Sequence, residues 1–249
     1  SIEAVLKPSR NANKNEAPYM ASIDGSGNCG ATLITNQLLL TSAHCAECPD
    51  WGCDISVGSI YIDDFDEKDP YRKPLKSIKQ LRHEDFKISD GGVQSFNDVA
   101  LILLNETLNF THESLQPIAG FAKPDYTKKA IVYGFGAENP EGQDRATQLK
   151  TREVSLIDNE KCKELMTHAI IKNTKQDYEI CIEVAVCRGD SGGPLIQIQD
   201  GVPKLIGIAT WTTDDIYNCS TAPHVYISPL HFNDWIQKGI AKLTPTEKH

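Results

Sequence analysis

The chain has 249 residues, of which 40% are apolar and 24% charged, and it carries a formal charge of −9. That apolar content can bury a substantial core, in one large all-β domain or two smaller ones, and argues against disorder. The acidic balance disfavours nucleic acid and anionic membrane surfaces as partners, because both need concentrated Lys and Arg; no apolar run reaches membrane-spanning length either.

Residues Ser1 to Ala17 are polar, with little periodicity, and read as an arm over the surface. Ser1 is not followed by a signal-peptide core, so a mature or truncated product is expected. From Pro18 the texture becomes short apolar or alternating runs broken by Gly and Asn, the pattern of antiparallel strands joined by tight turns. Strands are expected at Tyr19–Ile23, Ala31–Thr35, Leu38–Thr41, Ile55–Ile62, Leu75–Leu81, Val99–Leu104, Ala130–Tyr133, Gln148–Ile157, Leu195–Gln199, Lys204–Trp211 and His224–Ile227. So many short strands predict an all-β barrel or sandwich architecture, about two small barrels in extent. Asp63–Asp69, Glu84–Ser95 and Glu138–Thr147 read as loops. Asp158-Asn159-Glu160 caps a short helix over Lys161–Met166, and Pro229–Leu243 reads as a terminal helix whose Leu230, Phe232, Trp235, Ile236, Ile240 and Leu243 form one apolar stripe.

Eight cysteines, at 29, 45, 48, 53, 162, 181, 187 and 219, lack the paired short spacings of a structural zinc site and read as disulfides. Disulfides place the chain in an oxidising compartment, so it is expected to be secreted. Asn105-Glu106-Thr107, Asn109-Phe110-Thr111 and Asn218-Cys219-Ser220 match the glycosylation pattern.

The stretch Cys187-Arg188-Gly189-Asp190-Ser191-Gly192-Gly193-Pro194-Leu195 is where chemistry is expected. Glycines on both sides of Ser191 allow a sharp turn that presents the hydroxyl, and the amides of Gly189 and Ser191 can hold a developing oxyanion. A nucleophile of this kind needs a base and an orienting acid. Thr41-Ser42-Ala43-His44-Cys45 ends a strongly apolar strand, and Asn97-Asp98-Val99-Ala100-Leu101-Ile102-Leu103 sets a carboxylate before another. Alone, His44 reads as structural and Asp98 as a turn residue or cap. The order His, Asp, Ser, each within its own motif, makes that coincidence improbable. Gly189-Asp190-Ser191-Gly192-Gly193 also satisfies the Gly-x-Ser-x-Gly elbow of α/β-hydrolase lipases and esterases, but the residue order and the strand-rich texture do not fit that fold.

On these motifs the chain resembles the chymotrypsin-type serine proteases. Asn28-Cys29-Gly30-Ala31-Thr32-Leu33-Ile34, Gly134-Phe135-Gly136, Thr210-Trp211 and Val225-Tyr226 through Trp235-Ile236 extend the resemblance along nearly the whole chain. It implies a single peptidase domain over residues 1–249, built of two six-stranded antiparallel β-barrels, about 17–115 and 125–228. A C-terminal α-helix at 229–243 is then expected against the second barrel. It implies a catalytic triad of Ser191, His44 and Asp98 in the cleft between the barrels, a protein or peptide substrate, and protein inhibitors as further partners. No metal or other cofactor is implied. The resemblance also pairs Cys29–Cys45, Cys162–Cys181 and Cys187–Cys219; Cys48 and Cys53 remain and most simply close on each other. A further bridge common in the family is missing, with Ala130 and Gln197 at its two positions.

The chain departs from the family in places. Counting back from Pro18-Tyr19 puts Leu6-Lys7-Pro8-Ser9 where the family has Ile-Val-Gly-Gly, with five residues before it. In the family a freed ammonium there is the activation partner of the Asp before the nucleophile, here Asp190. Three readings follow: an uncleaved or zymogen-like form, a site held by other contacts, or a catalytically silent relative acting as a binding protein; the intact triad argues against the last. The substrate-binding residues implied are Ala185, Val186, Arg188, Thr210, Trp211, Thr212 and His224. Ala185, six before the nucleophile, stands where trypsin-like members have Asp, so cleavage after Arg or Lys is not expected. Thr212 follows Trp211 where a Gly usually leaves the pocket open. His224, when protonated, would favour an acidic side chain; as bulk, it would leave room for a small one. Arg188-Gly189-Asp190 spells an integrin-binding tripeptide but is committed to the active-site turn. The acidic run Asp63, Asp64, Asp66, Glu67, Asp69 lies near a loop that binds calcium in some relatives, though such runs are usually only solvated.

Overall fold

The computed structural model describes residues 9–24, 28–62, 69–89, 94–137, 146–168, 175–183, 189–212 and 223–244. Six strands, β2 (Met20–Asp24), β3 (Cys29–Leu33), β4 (Leu38–Thr41), β5 (Asp54–Val57), β6 (Lys73–Arg82) and β9 (Ala100–Leu104), close a barrel in the order β2-β3-β4-β9-β6-β5, every pairing antiparallel. A short ribbon, β7 (Lys87–Ile88) with β8 (Ser95–Phe96), runs inside the stretch expected to be a loop. The strand expected over Ile55–Ile62 stops at Gly58, whose φ of +78° breaks the extended backbone.

The remaining strands form one sheet: β1 (Arg10–Asn11), β10 (Ala130–Gly134), β11 (Lys150–Val154), β12 (Leu156–Ile157), β13 (Glu179–Ile182), β14 (Pro194–Gln199), β15 (Val202–Thr212) and β16 (His224–Ile227). Its order is β1-β11-β10-β14-β15-β16-β13-β12, antiparallel throughout. β11 and β12 are the single strand expected at Gln148–Ile157, broken at Ser155. Val154 pairs with Ala130 at one end and Leu156 with Ile182 at the other, so the chain itself closes the sheet into a second barrel. Counted this way the body is six-stranded, as the resemblance implies, with β1 added at its edge. Part of the presumed surface arm is therefore anchored: Arg10 pairs with Thr151, and Ala12 and Ala17 are buried.

Barrel geometry explains the apolar runs. β4 and β9 are buried along their whole lengths, Leu38 to Thr41 and Ala100 to Leu104. Leu101 of β9 receives Gly239 of the terminal helix α2 (Asn233–Leu243): a Cβ at Gly239 would lie 2.5 Å from Leu101 Cδ1. The helix thus packs on the first barrel rather than the second. Its stripe of Phe232, Ile236 and Leu243 joins the first barrel's core, and the Trp235 indole donates to Glu84 Oε2 at 2.8 Å. The helix starts four residues later than its sequence pattern suggests. Its companion α1 (Asn159–His168) begins where Asp158 Oδ1 accepts from Lys161 N, the expected cap.

Three of the implied disulfides are present, Cys29–Cys45, Cys48–Cys53 and Cys162–Cys181; Cys187 and Cys219 lie outside the described residues. Where the family's further bridge is missing, Gln197 does its cross-linking by hydrogen bonds. Fully buried, it accepts from Asp125 N and donates to Asp125 O, both at 2.8 Å, and also donates to Lys128 O at 3.3 Å. A Gln197→Leu change strands these backbone groups and is expected to lower stability by about 2 kcal/mol, measured by thermal denaturation.

Candidate active site

His44 stands on a single 3-10 turn, Ala43–Cys45, at the end of β4, with the Cys29–Cys45 disulfide beneath it. Asp98 follows Asn97, whose φ of +51° is left-handed, a conformation Asn tolerates. Asn97 is tied down on both sides, its N–H to Tyr178 Oη at 3.2 Å and its side-chain amide to Asp85 O at 3.1 Å. The result aims a fully buried Asp98 carboxylate at His44: Oδ1 accepts from His44 N at 2.9 Å, and Oδ2 lies 2.7 Å from His44 Nδ1.

Two hydroxyls complete the carboxylate's surroundings. Thr210 Oγ1 donates to Asp98 Oδ2 at 2.5 Å, Ser95 Oγ lies 3.0 Å from the same oxygen, and the hydroxyls are 2.8 Å apart. Thr210 reaches this position because the β15–β16 ladder slips there. Ala209 pairs with Tyr226 and Trp211 with Val225, leaving Thr210 as the extra residue of a bulge that turns its side chain toward Asp98. Thr210, expected as a substrate contact, also supports the acid through its hydroxyl. Ser95 was hidden in a stretch that reads as loop, and nothing in its local pattern sets it apart.

Burial alone would push Asp98 up, but the His44 charge and these hydrogen bonds outweigh it and hold the carboxyl below its usual value. Burial pulls the other way on His44, drawing its pKa down; the Asp98 charge and hydrogen bond offset this and leave it raised, with Glu47 adding in the same direction.

The serine turn is clamped against the first barrel. Gly30 N donates to Ser191 O at 2.7 Å, and a Cβ on Gly192 (φ +75°) would lie 2.1 Å from Thr41 Oγ1 and 3.3 Å from Ser42 N. No other residue fits at 192, and the contact brings the turn beside the segment that leads into His44. Within the turn, Gly192 N donates to Ala209 O and Gly193 N to Asp190 O. Asp190 folds away from the nucleophile onto Gly134 and Gly136: Cβ atoms there would lie 1.8 and 2.4 Å from its carboxylate, and Gly136 N donates to Oδ1 at 2.8 Å. This is the reason for the Gly134-Phe135-Gly136 motif. Arg152, drawn down by burial, is pulled up by the Asp190 charge, so the two groups interact.

Of the expected pocket residues, Ala185, Val186 and Arg188 lie outside the described residues, and of Thr212 only the backbone is described. His224 is buried, with neither ring nitrogen hydrogen-bonded among the described residues, and burial, helped by the His44 charge, pushes its pKa down to about 3. Trp211 is buried and donates its indole N–H to Glu179 Oε1 at 3.2 Å. Glu179 was not foreseen; the available signal was a lone charge in the apolar run Tyr178-Glu179-Ile180-Cys181-Ile182. The acidic run at 63–68 lies outside the described residues, while the carboxylate of Asp69 is taken by Ser59 Oγ and Tyr71 N.

A serine protease of chymotrypsin type is the class that this fold and this acid–base pair define. The trypsin family model matches residues 8–236, and the chain belongs to that family. It is 27% identical to lectizyme of Glossina austeni over 96% of this chain and 91% of that one. It is 26% identical to trypsin epsilon of Drosophila erecta over 89% and 82% respectively. Among solved structures it resembles neuropsin, a serine protease of mouse brain, with a TM-score of 0.76 and 22% identity over 93% of this chain and 98% of that one. Among the described residues no helix is long and apolar enough to cross a membrane.

The raised His44 pKa has a kinetic consequence. The base must be neutral, so kcat/KM is expected to rise with pH along a limb centred above 6.5, the ordinary imidazole value. Asp98→Asn removes the charge that holds it there, leaving burial to draw the limb below 6.5; a pH–rate profile measures both. Thr210→Val is expected to lower kcat/KM by about tenfold, the worth of one hydrogen bond to a charged group.

Proposed function

We propose that the protein is a secreted endopeptidase in which Ser191, His44 and Asp98 act as one triad. The observation that carries this is the His44–Asp98 pair, at 2.7 Å, together with the serine turn packed against Thr41 and Ser42, the segment that leads into His44. The chemistry is that shared by the family's triads. Ser191 Oγ attacks the peptide carbonyl as His44 takes its proton, and the oxyanion is met by the amides of Gly189 and Ser191. The amides of Gly192 and Gly193 already donate within the protein and are not available to it. The C–N bond then breaks as His44 returns the proton to the leaving amine, and water releases the acyl group by the same route reversed. Asp98 orients the imidazole and stabilises its cation without taking the proton.

The contact of Asp190 with Gly136 N and the nearby Arg152 charge support a site held by internal contacts, the second of the three readings of the N-terminus. The disulfides support secretion. For specificity, a neutral, buried His224 supports the role of bulk over that of a cation, and Ala185 brings no carboxylate. A small or medium aliphatic side chain is therefore preferred on the acyl side of the cleaved bond, with an acidic one accepted only if His224 gains a proton with it.

A fluorophosphonate probe is expected to label Ser191 in the full chain, and Ser191→Ala to abolish both labelling and turnover. Labelling absent both in the full chain and in one trimmed to begin near Leu6 would make the protein a silent binding relative. Cleavage of an Arg substrate far above Ala, Val and Glu substrates would overturn the pocket assignment.

A further inference from the structure

Glu179 is a buried acid that the triad does not use. It is 1% exposed, on β13, with a different N–H on each oxygen: Gln176 N reaches Oε2 at 2.6 Å and the Trp211 indole reaches Oε1 at 3.2 Å. The Gln94 side chain is a third hydrogen-bond partner. These come from three different parts of the chain. Gln94 precedes Ser95, which touches Asp98, and Trp211 follows Thr210, which touches it too. The neighbouring Tyr178 accepts from Asn97 N, one residue before Asp98. The carboxylate thus sits where the cleft wall formed by Trp211 meets the strand ends that support the acid.

We propose that Glu179 is a positioning residue for substrate: ionised, it fixes the Trp211 indole and the Gln94 segment in one arrangement, and taking up a proton releases one of those donors. The reason is valence. A carboxylate accepts on both oxygens, whereas a carboxyl group must point its own O–H at one of the N–H donors now facing it. The loss falls on binding of the extended substrate along the Trp211 wall, and this rests on the protease reading of the cleft.

The titration falls in the working range, since burial pushes the Glu179 carboxyl up to about 7 against the pull of its hydrogen bonds and of the Lys175 charge. The other groups around it are few. Asp177 and Glu160, the latter on α1, act on Lys175; Tyr178 feels Asp98 and lies tilted against His231, ring centroids 4.9 Å apart; His224 lies on the neighbouring strand β16. None of these replaces Glu179 as a partner of Trp211.

The test compares Glu179→Gln with the unmodified chain on a tetrapeptide anilide and on a single-residue ester of the same acyl residue, from pH 5.5 to 8.5. For the unmodified chain, the KM of the tetrapeptide is expected to rise as pH falls through about 7, with no such step for the ester. In Glu179→Gln that step disappears, and the tetrapeptide loses about tenfold in kcat/KM relative to the ester. A second readout needs no turnover: indole fluorescence of the unmodified chain titrates near pH 7, and Trp211→Phe and Glu179→Gln each remove the step. A flat fluorescence titration together with a pH-independent tetrapeptide-to-ester ratio would overturn the proposal. A fluorescence step in a chain that does not hydrolyse either substrate would uphold the Glu179–Trp211 clamp while ending the protease reading. If Glu179→Gln does not fold, the two pH profiles of the unmodified chain decide alone.

Discussion

Asp98 is a carboxylate with no exposure to water, and most of what surrounds the site follows from making that tolerable. An ion taken wholly out of water costs several kcal/mol unless its oxygens are met by donors. Here they are met by the His44 backbone and ring, by Ser95 and by Thr210. Three of these donors come from the first barrel and its loops and one from the second, so the charge can be satisfied only when the barrels are together. The bulge at Thr210, the left-handed Asn97 and the disulfide under His44 are local means to that one end.

A second acid, the half-buried Asp190, is met in the same way at the serine turn. Asp190 occupies the volume left by two absent side chains at Gly134 and Gly136, so the serine turn and the strand β10 are set by one packing event. The Gly136 amide and the Arg152 charge act on the Asp190 carboxylate. Glu179 makes a third case, and differs in degree. Its donors leave burial the larger influence, so its carboxyl lies near neutrality where that of Asp98 is held below its usual value.

The substitutions that separate this chain from its relatives are compensated locally. Gln197 replaces a covalent link with three hydrogen bonds to the segment around Asp125, and His224 is buried and held uncharged. The first preserves the fold. The second is an imidazole that burial keeps neutral and whose two ring nitrogens find no hydrogen-bond partner among the described residues.

Much was determined by the sequence alone. Glycines cluster around Ser191, and His44 and Asp98 each border an apolar strand. Such motifs are local, and strand periodicity with turn chemistry is enough to place them. Most strands were legible for the same reason, though β13 (Glu179–Ile182) was not foreseen, and the disulfide pairings came chiefly from the family resemblance. The tertiary structure decided what depends on residues distant in the chain meeting at one point. Thr210 became a buttress of Asp98 because of a one-residue slip in a ladder that no strand pattern encodes. Ser95 and Glu179 acquired roles from partners 115 and 32 residues away. The terminal helix found the first barrel because Gly239 fits over Leu101, a matter of shape. Periodicity reports which face of an element is buried, and only the packed chain says against what.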